Sequence, residues 1–286
     1  MSRHSLRRGS TVAAGFALVA IITGCAATAP TSSSSAPAAD TLKPPAILNE
    51  GTLSVCVANA ASPPNTIFDE AGNLTGLEID LIDAVGAELG LTINIVQSAF
   101  SALIPTLQAK QCDAIMSTLY IKPEREEVVD FVPYLKSGTA LSVSEGNPKN
   151  ITGLDSSMCG HTAIVTIGTT AEELTRAQSS ACESDGKKAI DISTTDQPTV
   201  ALQQLTNGQV DAFLETAELL GYYKSGGAKI EFAGKPFGTI SVGAATRKDD
   251  TELHDAIDQA FVTLHESGSY DEILERWGAE DLAETN

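Results

Sequence analysis

The segment Lys122-Pro-Glu-Arg125 places an arginine two residues after a proline, among Glu124, Glu126 and Glu127. A planar guanidinium presents paired donors to both oxygens of a carboxylate, which a lysine ammonium does not. A solvated helix-surface charge is the commoner fate of such an arginine, and residue type alone leaves both readings open. Gly168-Thr169-Thr170 leads into a second helical stretch. Free N–H groups and the helix dipole favour an anion there, although the same three residues also make a plain cap and turn. Catalytic signatures are missing: the chain has no His-Glu-x-x-His, no Gly-x-Ser-x-Gly and no glycine-rich phosphate loop. His161, His254 and His265 are too scattered to share a metal. Neither a metal nor a cofactor is expected.

The cysteines carry the next chemistry. Arg3, Arg7 and Arg8 open the chain, and an apolar run follows from Val12 to Ile22. This is the pattern of a signal peptide over residues 1–24, and the run is shorter than the roughly 20 apolar residues a membrane span needs. It ends in Ile22-Thr23-Gly24-Cys25, which resembles a lipobox, so Cys25 is expected to carry the lipid. Arg7-Arg8 gives only a weak twin-arginine signal, because the apolar residues expected after the pair are missing. Residues 25–46, rich in Ser, Thr, Ala and Pro, are expected to form a flexible tether. The working part would then sit on the extracytoplasmic face of the cell membrane. Cys56, Cys112, Cys159 and Cys182 remain, and in an exported chain they suggest two disulfides. Strand-like runs at Leu53 to Val57 and Cys112 to Met116 could bring Cys56 to Cys112. Cys159 and Cys182 bracket one strand–helix segment. The expected pairs are Cys56–Cys112 and Cys159–Cys182, with buried free thiols as the competing reading.

Charge narrows the partners. The 286 residues hold 18 Lys plus Arg against 37 Asp plus Glu, a formal charge of −19. The first 24 residues have three arginines and no acid, so the remainder stands at −22. Such a surface repels phosphates, which argues against nucleic acid. A 42% apolar and 19% charged composition is that of a globular chain.

The elements that must position these residues alternate. Leu53 to Val57 reads as a strand, and Glu78 to Leu89 as a helix with Ile79, Ile82 and Val85 on one face and Gly90 as its stop. Leu91 to Val96 is a strand, Ser101 can cap a short helix, and Cys112 to Met116 is a third strand. This β-α-β-α-β order implies a parallel sheet with helices on its faces. The grammar repeats: strand Thr162 to Ile167, a helix with Thr170 and Glu173 in capping-box spacing, strand Ala189 to Ile192, a helix opened by Asp196-Gln-Pro198, then strand Val210 to Leu214. Thr239 to Ala245 leads into two amphipathic helices, the second at Tyr270 to Trp277 with Ser269 and Glu272 in capping-box register. Two α/β units with two crossings suggest two lobes and a cleft. Residues 47–140 with 238–286 are expected to form one lobe and 141–237 the other.

An ordered set of segments carries a family resemblance. It comprises Gly72-Asn-Leu-Thr-Gly-Leu-Glu-Ile-Asp-Leu81, Phe100-Ser-Ala-Leu-Ile-Pro-Thr-Leu107, Asp113-Ala-Ile-Met-Ser-Thr-Leu-Tyr-Ile-Lys-Pro-Glu-Arg125, Gly168-Thr-Thr170 and Ser269-Tyr-Asp-Glu-Ile-Leu-Glu-Arg-Trp277. Together, over roughly residues 47–278, they resemble the family 3 extracellular solute-binding proteins, receptors of polar amino acid ABC importers. The resemblance implies a two-lobed Venus-flytrap α/β fold, each lobe a mostly parallel sheet flanked by helices. It also implies capture of an amino acid or related small carboxylate by lobe closure, with delivery to ABC permease subunits by a monomer.

By the same resemblance Arg125 is the carboxylate-binding arginine, and Ser117 and Thr118 touch the ligand. Phe100 stacks on the ligand side chain, and Thr169 and Thr170 hold its carboxylate. Departures are as informative. Asn59 and Thr216 stand where relatives often place acids for the ammonium, Ser62 and Asn65 replace aromatics, and Tyr120 is larger than usual. Glu215 and Glu218 are candidates to supply the missing acid. An enzyme of dehydratase type on the same fold is the alternative, and a ligand-sensing module is a third reading.

Overall fold

Thr52-Leu-Ser-Val-Cys-Val-Ala58 forms β1, buried from Leu53 to Ala58 because it is covered on both faces. Such double burial is what a central parallel strand requires. The computed structural model describes residues 42–284; the expected signal peptide, Cys25 and the tether as far as residue 41 lie outside these. At the end of the expected tether, Leu42 and Ala46 are buried in the core rather than solvated. Removing their apolar surface from water stabilises that placement.

A short hairpin, β2 (Ile67–Phe68) and β3 (Leu74–Thr75), precedes α1 (Leu77–Leu89). Gly76 makes that entry feasible: at φ 130° a side chain there would meet the Asn65 carbonyl at 2.3 Å. Ile79, Ile82 and Val85 of α1 face inward, and Gly90 ends the helix in the left-handed conformation, as its position suggests. Then come β4 (Thr92–Ser98), α2 (Leu103–Gln108), β5 (Ala114–Ile115), α3 (Pro123–Glu126) and the 16-residue β6 (Val129–Ser144). No side chain caps α2; Ser101 lies in a 3-10 turn ahead of it, not at its cap.

The second unit runs β7 (Thr162–Thr166), α4 (Thr170–Ser184), β8 (Asp191–Thr195), α5 (Pro198–Thr206), β9 (Ala212–Thr216), α6 (Ala217–Ser225) and β10 (Ile230–Phe232). The chain returns through β11 (Phe237–Arg247) to α7 (Thr251–Ser267) and α8 (Ser269–Trp277). Gly268 occupies the N-cap of α8 with no side-chain cap bond, so the capping box expected at Ser269 does not form.

Strand order is β4-β1-β5-β11-β6-β9-β7-β8, with β10 on β6. β1 pairs in parallel with β4 and β5, and β7 with β8 and β9. β6 and β11 pair antiparallel between these two parallel sets. The result is a two-lobed α/β fold whose lobes share one antiparallel ribbon. In the first lobe α1, α7 and α8 cover the core, where Tyr134 stacks on Phe261 at 5.6 Å and the Tyr270 hydroxyl donates to the Tyr134 carbonyl. The second lobe has its own core around Val143, Val165 and Leu214. Both expected disulfides are present, Cys56–Cys112 and Cys159–Cys182, with Cα separations of 5.7 and 5.6 Å. Among the described residues no helix is long and apolar enough to cross a membrane.

Candidate ligand-binding cleft

Parallel strands in both lobes end at one cleft, where α/β sheets place their ligands. It holds about 650 Å3 of empty space, counting its open mouth. The first lobe contributes Ala58, Ala60, Ser62, Thr66, Phe100, Ser117, Thr118, Tyr120 and Arg125. The second contributes Thr166, Thr169, Thr170, Ala171, Asp196, Pro198, Glu215 and Thr216, and Thr139 lies on β6 between the lobes. Seven of these are threonines, so most of the wall offers hydroxyls rather than charge.

The residues expected to touch ligand line this cleft except Asn59 and Glu218. Asn59 lies in the bend just beyond β1 and is exposed, its N–H bonded to the Ser98 carbonyl, while Ala58 and Ala60 on either side of it line the cleft.

Among the described residues Arg125 is the only cation of the lining. Pro123 starts the one-turn helix that carries it, where a missing N–H costs nothing. Its Nη1 donates to the Tyr120 carbonyl at 2.9 Å, and its Nη2 donates to the Gly168 carbonyl of the other lobe at 3.4 Å. No carboxylate pairs with it among the described residues. Its Cζ lies 5.9 Å from the centre of the Phe100 ring, within cation–π range. Burial pulls the guanidinium below its ordinary value, with Glu124 and Glu173 pulling the other way. A desolvated cation without a counter-ion is a place for an anion.

Opposite stands the start of α4. Thr169 is its cap, accepting from the Glu172 N–H at 3.3 Å, and Glu172 in turn accepts from the Gly168 N–H at 2.7 Å. The capping pair is therefore Thr169 with Glu172, one residue before the expected Thr170 and Glu173. The slip matters, because it releases Thr170 from capping. Thr170 and Ala171 then hold first-turn N–H groups of the kind a helix leaves unpaired, and the buried Thr170 hydroxyl has no partner. Gly168, at φ 79°, lets this turn approach the first lobe: a side chain there would come within 3.0 Å of Ser101.

Glu215 lies near the end of β9, 6% exposed. Thr166 Oγ1 donates to it at 2.5 Å and the Thr216 N–H at 3.0 Å. Burial raises its pKa against those two hydrogen bonds, and no cation pairs with it among the described residues. The buried Thr216 hydroxyl is also unpartnered. Glu218 does not line the cleft. It accepts from Ser137 at 2.8 Å, and the Tyr120 hydroxyl joins the same Ser137, so Tyr120 shows the cleft its ring and sends its polar end toward the ribbon. Ser117 accepts from the Ala58 N–H at 3.0 Å, which ties β1 to the strand end that bears Thr118.

The segment Asp196-Gln-Pro198 opens α5 as expected, and Asp196 also lines the cleft. Gln197 holds the cap position, and its N–H is taken by Thr195 Oγ1. An acid just before a helix-starting proline was the available signal, and capping is its usual meaning. Among the described residues no three His, Cys, Asp or Glu side chains group as a metal site.

The profile of the bacterial extracellular solute-binding proteins, family 3, matches residues 53–280. The chain belongs to that family. The L-cystine-binding protein of Escherichia coli K12 is 26% identical over 238 residues, covering 82% of this chain and 86% of the relative. An ancestral arginine-binding protein bound to glutamine superposes with a TM-score of 0.73 at 32% identity, covering 80% of this chain and 99% of the other. The ancestral amino acid-binding protein AncCDT-1, a precursor of cyclohexadienyl dehydratase, gives 0.71 at 28%, covering 79% and 95%.

Proposed function

We propose that this family member is the extracytoplasmic receptor of an ABC importer and captures an amino acid by closing its two lobes. The observation that carries this reading is Arg125, a partly buried cation in the cleft that forms no ion pair with any carboxylate of the described residues. The ligand carboxylate would lie between that guanidinium and the first turn of α4, so each lobe holds one side of it. Glu215 would take the ammonium in place of the acids missing at Asn59 and Thr216, and Phe100 would pack against the ligand side chain. A ligand that touches both lobes favours the closed form over the open one. In this reading Cys25 carries the lipid anchor, ABC permease subunits receive the ligand, and the receptor works as a monomer without catalysing a reaction.

A thermal-shift screen of the purified chain against amino acids, opines, keto acids and compatible solutes tests the reading. An amino acid should raise the melting temperature, and Arg125→Ala should abolish the shift. Unchanged calorimetric affinity in that variant refutes the site. Magnetic resonance of the same mixtures decides the dehydratase-like alternative, since turnover would show as product.

A further inference from the structure

The second lobe ends in three strand tips side by side on the cleft. β7 lies between β9 and β8, so Glu215 on β9 and Asp196 just after β8 flank Thr166. Thr166 pairs in register with Thr195, which places Asp196 one residue beyond that pair. Neighbouring strands stand about 4.8 Å apart, so the two acid-bearing backbones are about 10 Å apart across β7. Two acids thus border one cleft whose lining holds a single cation, Arg125 on the other lobe.

Their surroundings separate their roles. Glu215 is buried and fixed by Thr166 and Thr216. Asp196 is exposed at the edge of the cleft and enters no hydrogen bond or ion pair among the described residues. It does not cap α5, where Gln197 holds the cap position and no side-chain cap bond forms. An amino acid with its carboxylate on Arg125 and its ammonium on Glu215 matches two of the three charges. Asp196 is left over, and Ser62, Thr66 and Pro198 of the lining carry no charge to answer it.

We propose that the cleft is built for an amino acid with a long side chain ending in a cation, an amine or a guanidinium, and that Asp196 selects for that charge. The separation of the acid-bearing strands suits a ligand whose two cationic groups are several bonds apart. This proposal rests on the amino acid reading above and makes it narrower.

Two ligand pairs of matched length test it by calorimetry on the purified chain: L-arginine against L-citrulline, and L-lysine against L-norleucine. In at least one pair the cationic member should bind about 10-fold tighter or more, the scale of a charge-assisted hydrogen bond. Asp196→Asn should shrink that ratio to within about threefold, and Asp196→Glu should keep most of it. Equal binding within both pairs overturns the proposal, as does a ratio that survives Asp196→Asn. If other amino acids bind and neither cationic ligand does, the proposal falls while the amino acid reading stands. If no amino acid binds at all, both fall.

Discussion

Glu78 in the first turn of α1 holds Thr118 at the edge of the cleft through two hydrogen bonds to one residue. The Thr118 N–H donates to Glu78 Oε1 at 2.5 Å and its hydroxyl to Oε2 at 3.0 Å. The Tyr134 hydroxyl donates to the same carboxylate, which is 1% exposed. Thr118 sits at φ 46°, a left-handed conformation uncommon for a β-branched residue. Holding it there costs about 1–3 kcal/mol, a strain that persists only where neighbours over-determine it. Glu78 and Asn65, which donates to Thr118 Oγ1 at 2.9 Å, are those neighbours.

Glu78→Gln should therefore destabilise the fold and weaken binding. An amide can keep its oxygen for the Thr118 N–H and the Tyr134 hydroxyl, but its NH2 then faces the Thr118 hydroxyl, whose proton is left buried without an acceptor, at about 1–3 kcal/mol. In a chain of this size each kcal/mol lowers the melting temperature by about 2–4 °C. Calorimetric scans of the variant check this; a melting temperature equal to that of the native chain would show that Thr118 needs no such support.

Lys122, just ahead of the helix bearing Arg125, reaches across to Glu173 in the first turn of α4 and to Glu124 at 2.5 Å. The contact joins the two lobes at the mouth of the cleft. Glu173 is 63% exposed, so the pair is worth at most about 1 kcal/mol. Lys122→Ala should then raise the ligand off-rate measurably, by about two- to fivefold, and leave the on-rate nearly unchanged. Stopped-flow measurement decides it, and an off-rate that does not move would rule out a latch.

Sequence and structure agree best where the signal is local. The inward face of α1 and its Gly90 stop follow from a 3.6-residue period and one permissive residue. The strands around β1 follow from apolar runs between turns. At α4 the cap slipped by one residue because Thr169 and Thr170 offer equivalent oxygens and the backbone entry angle chooses between them, whereas at α8 the cap position fell to Gly268, which has no side chain to accept a bond. The full length of β6 is hidden by Pro133 and Gly138, which interrupt its pattern although pairing with β11 carries the strand through. Asn59 fails because the chain bends just past the end of β1, and that bend turns its side chain to solvent. Asp196 was out of reach for a different reason: its place depends on β8 lying beside β7, a relation between strands that no window of sequence contains.

Reduction should cost the fold more at one disulfide than at the other. Cys56–Cys112 spans 56 residues and Cys159–Cys182 spans 23, so the chain-entropy model assigns about 4 and about 3 kcal/mol respectively. Paired Cys→Ala variants compared by denaturant midpoint give the order. Recovery of four alkylatable thiols from the exported protein would remove the premise.

Acidity should stabilise the ligand-free chain, the reverse of the usual effect of paired carboxylates. Burial pushes Glu218 up to about 7, with the charges of Glu215 and Glu78 adding to it and the Ser137 hydrogen bond opposing. Burial also raises Glu215 and Glu78. Between the ordinary glutamate value of 4.5 and about 7, the folded chain therefore holds a proton on Glu218 that the unfolded chain has lost. Folding takes up a proton in that window, so stability falls as pH rises through it and levels off above. Asp69, Glu124 and Asp155, whose hydrogen bonds lower them, act at more acid pH and do not cancel the trend. The melting temperature should thus drop steadily from about pH 5.5 to about pH 7.5, and Glu218→Gln should flatten the slope. An ammonium on Glu215 favours its ionised carboxylate, so a bound amino acid should oppose the upward shift that burial gives Glu215. A native profile already flat, or a slope unchanged in the variant, would show that Glu218 does not titrate in this range.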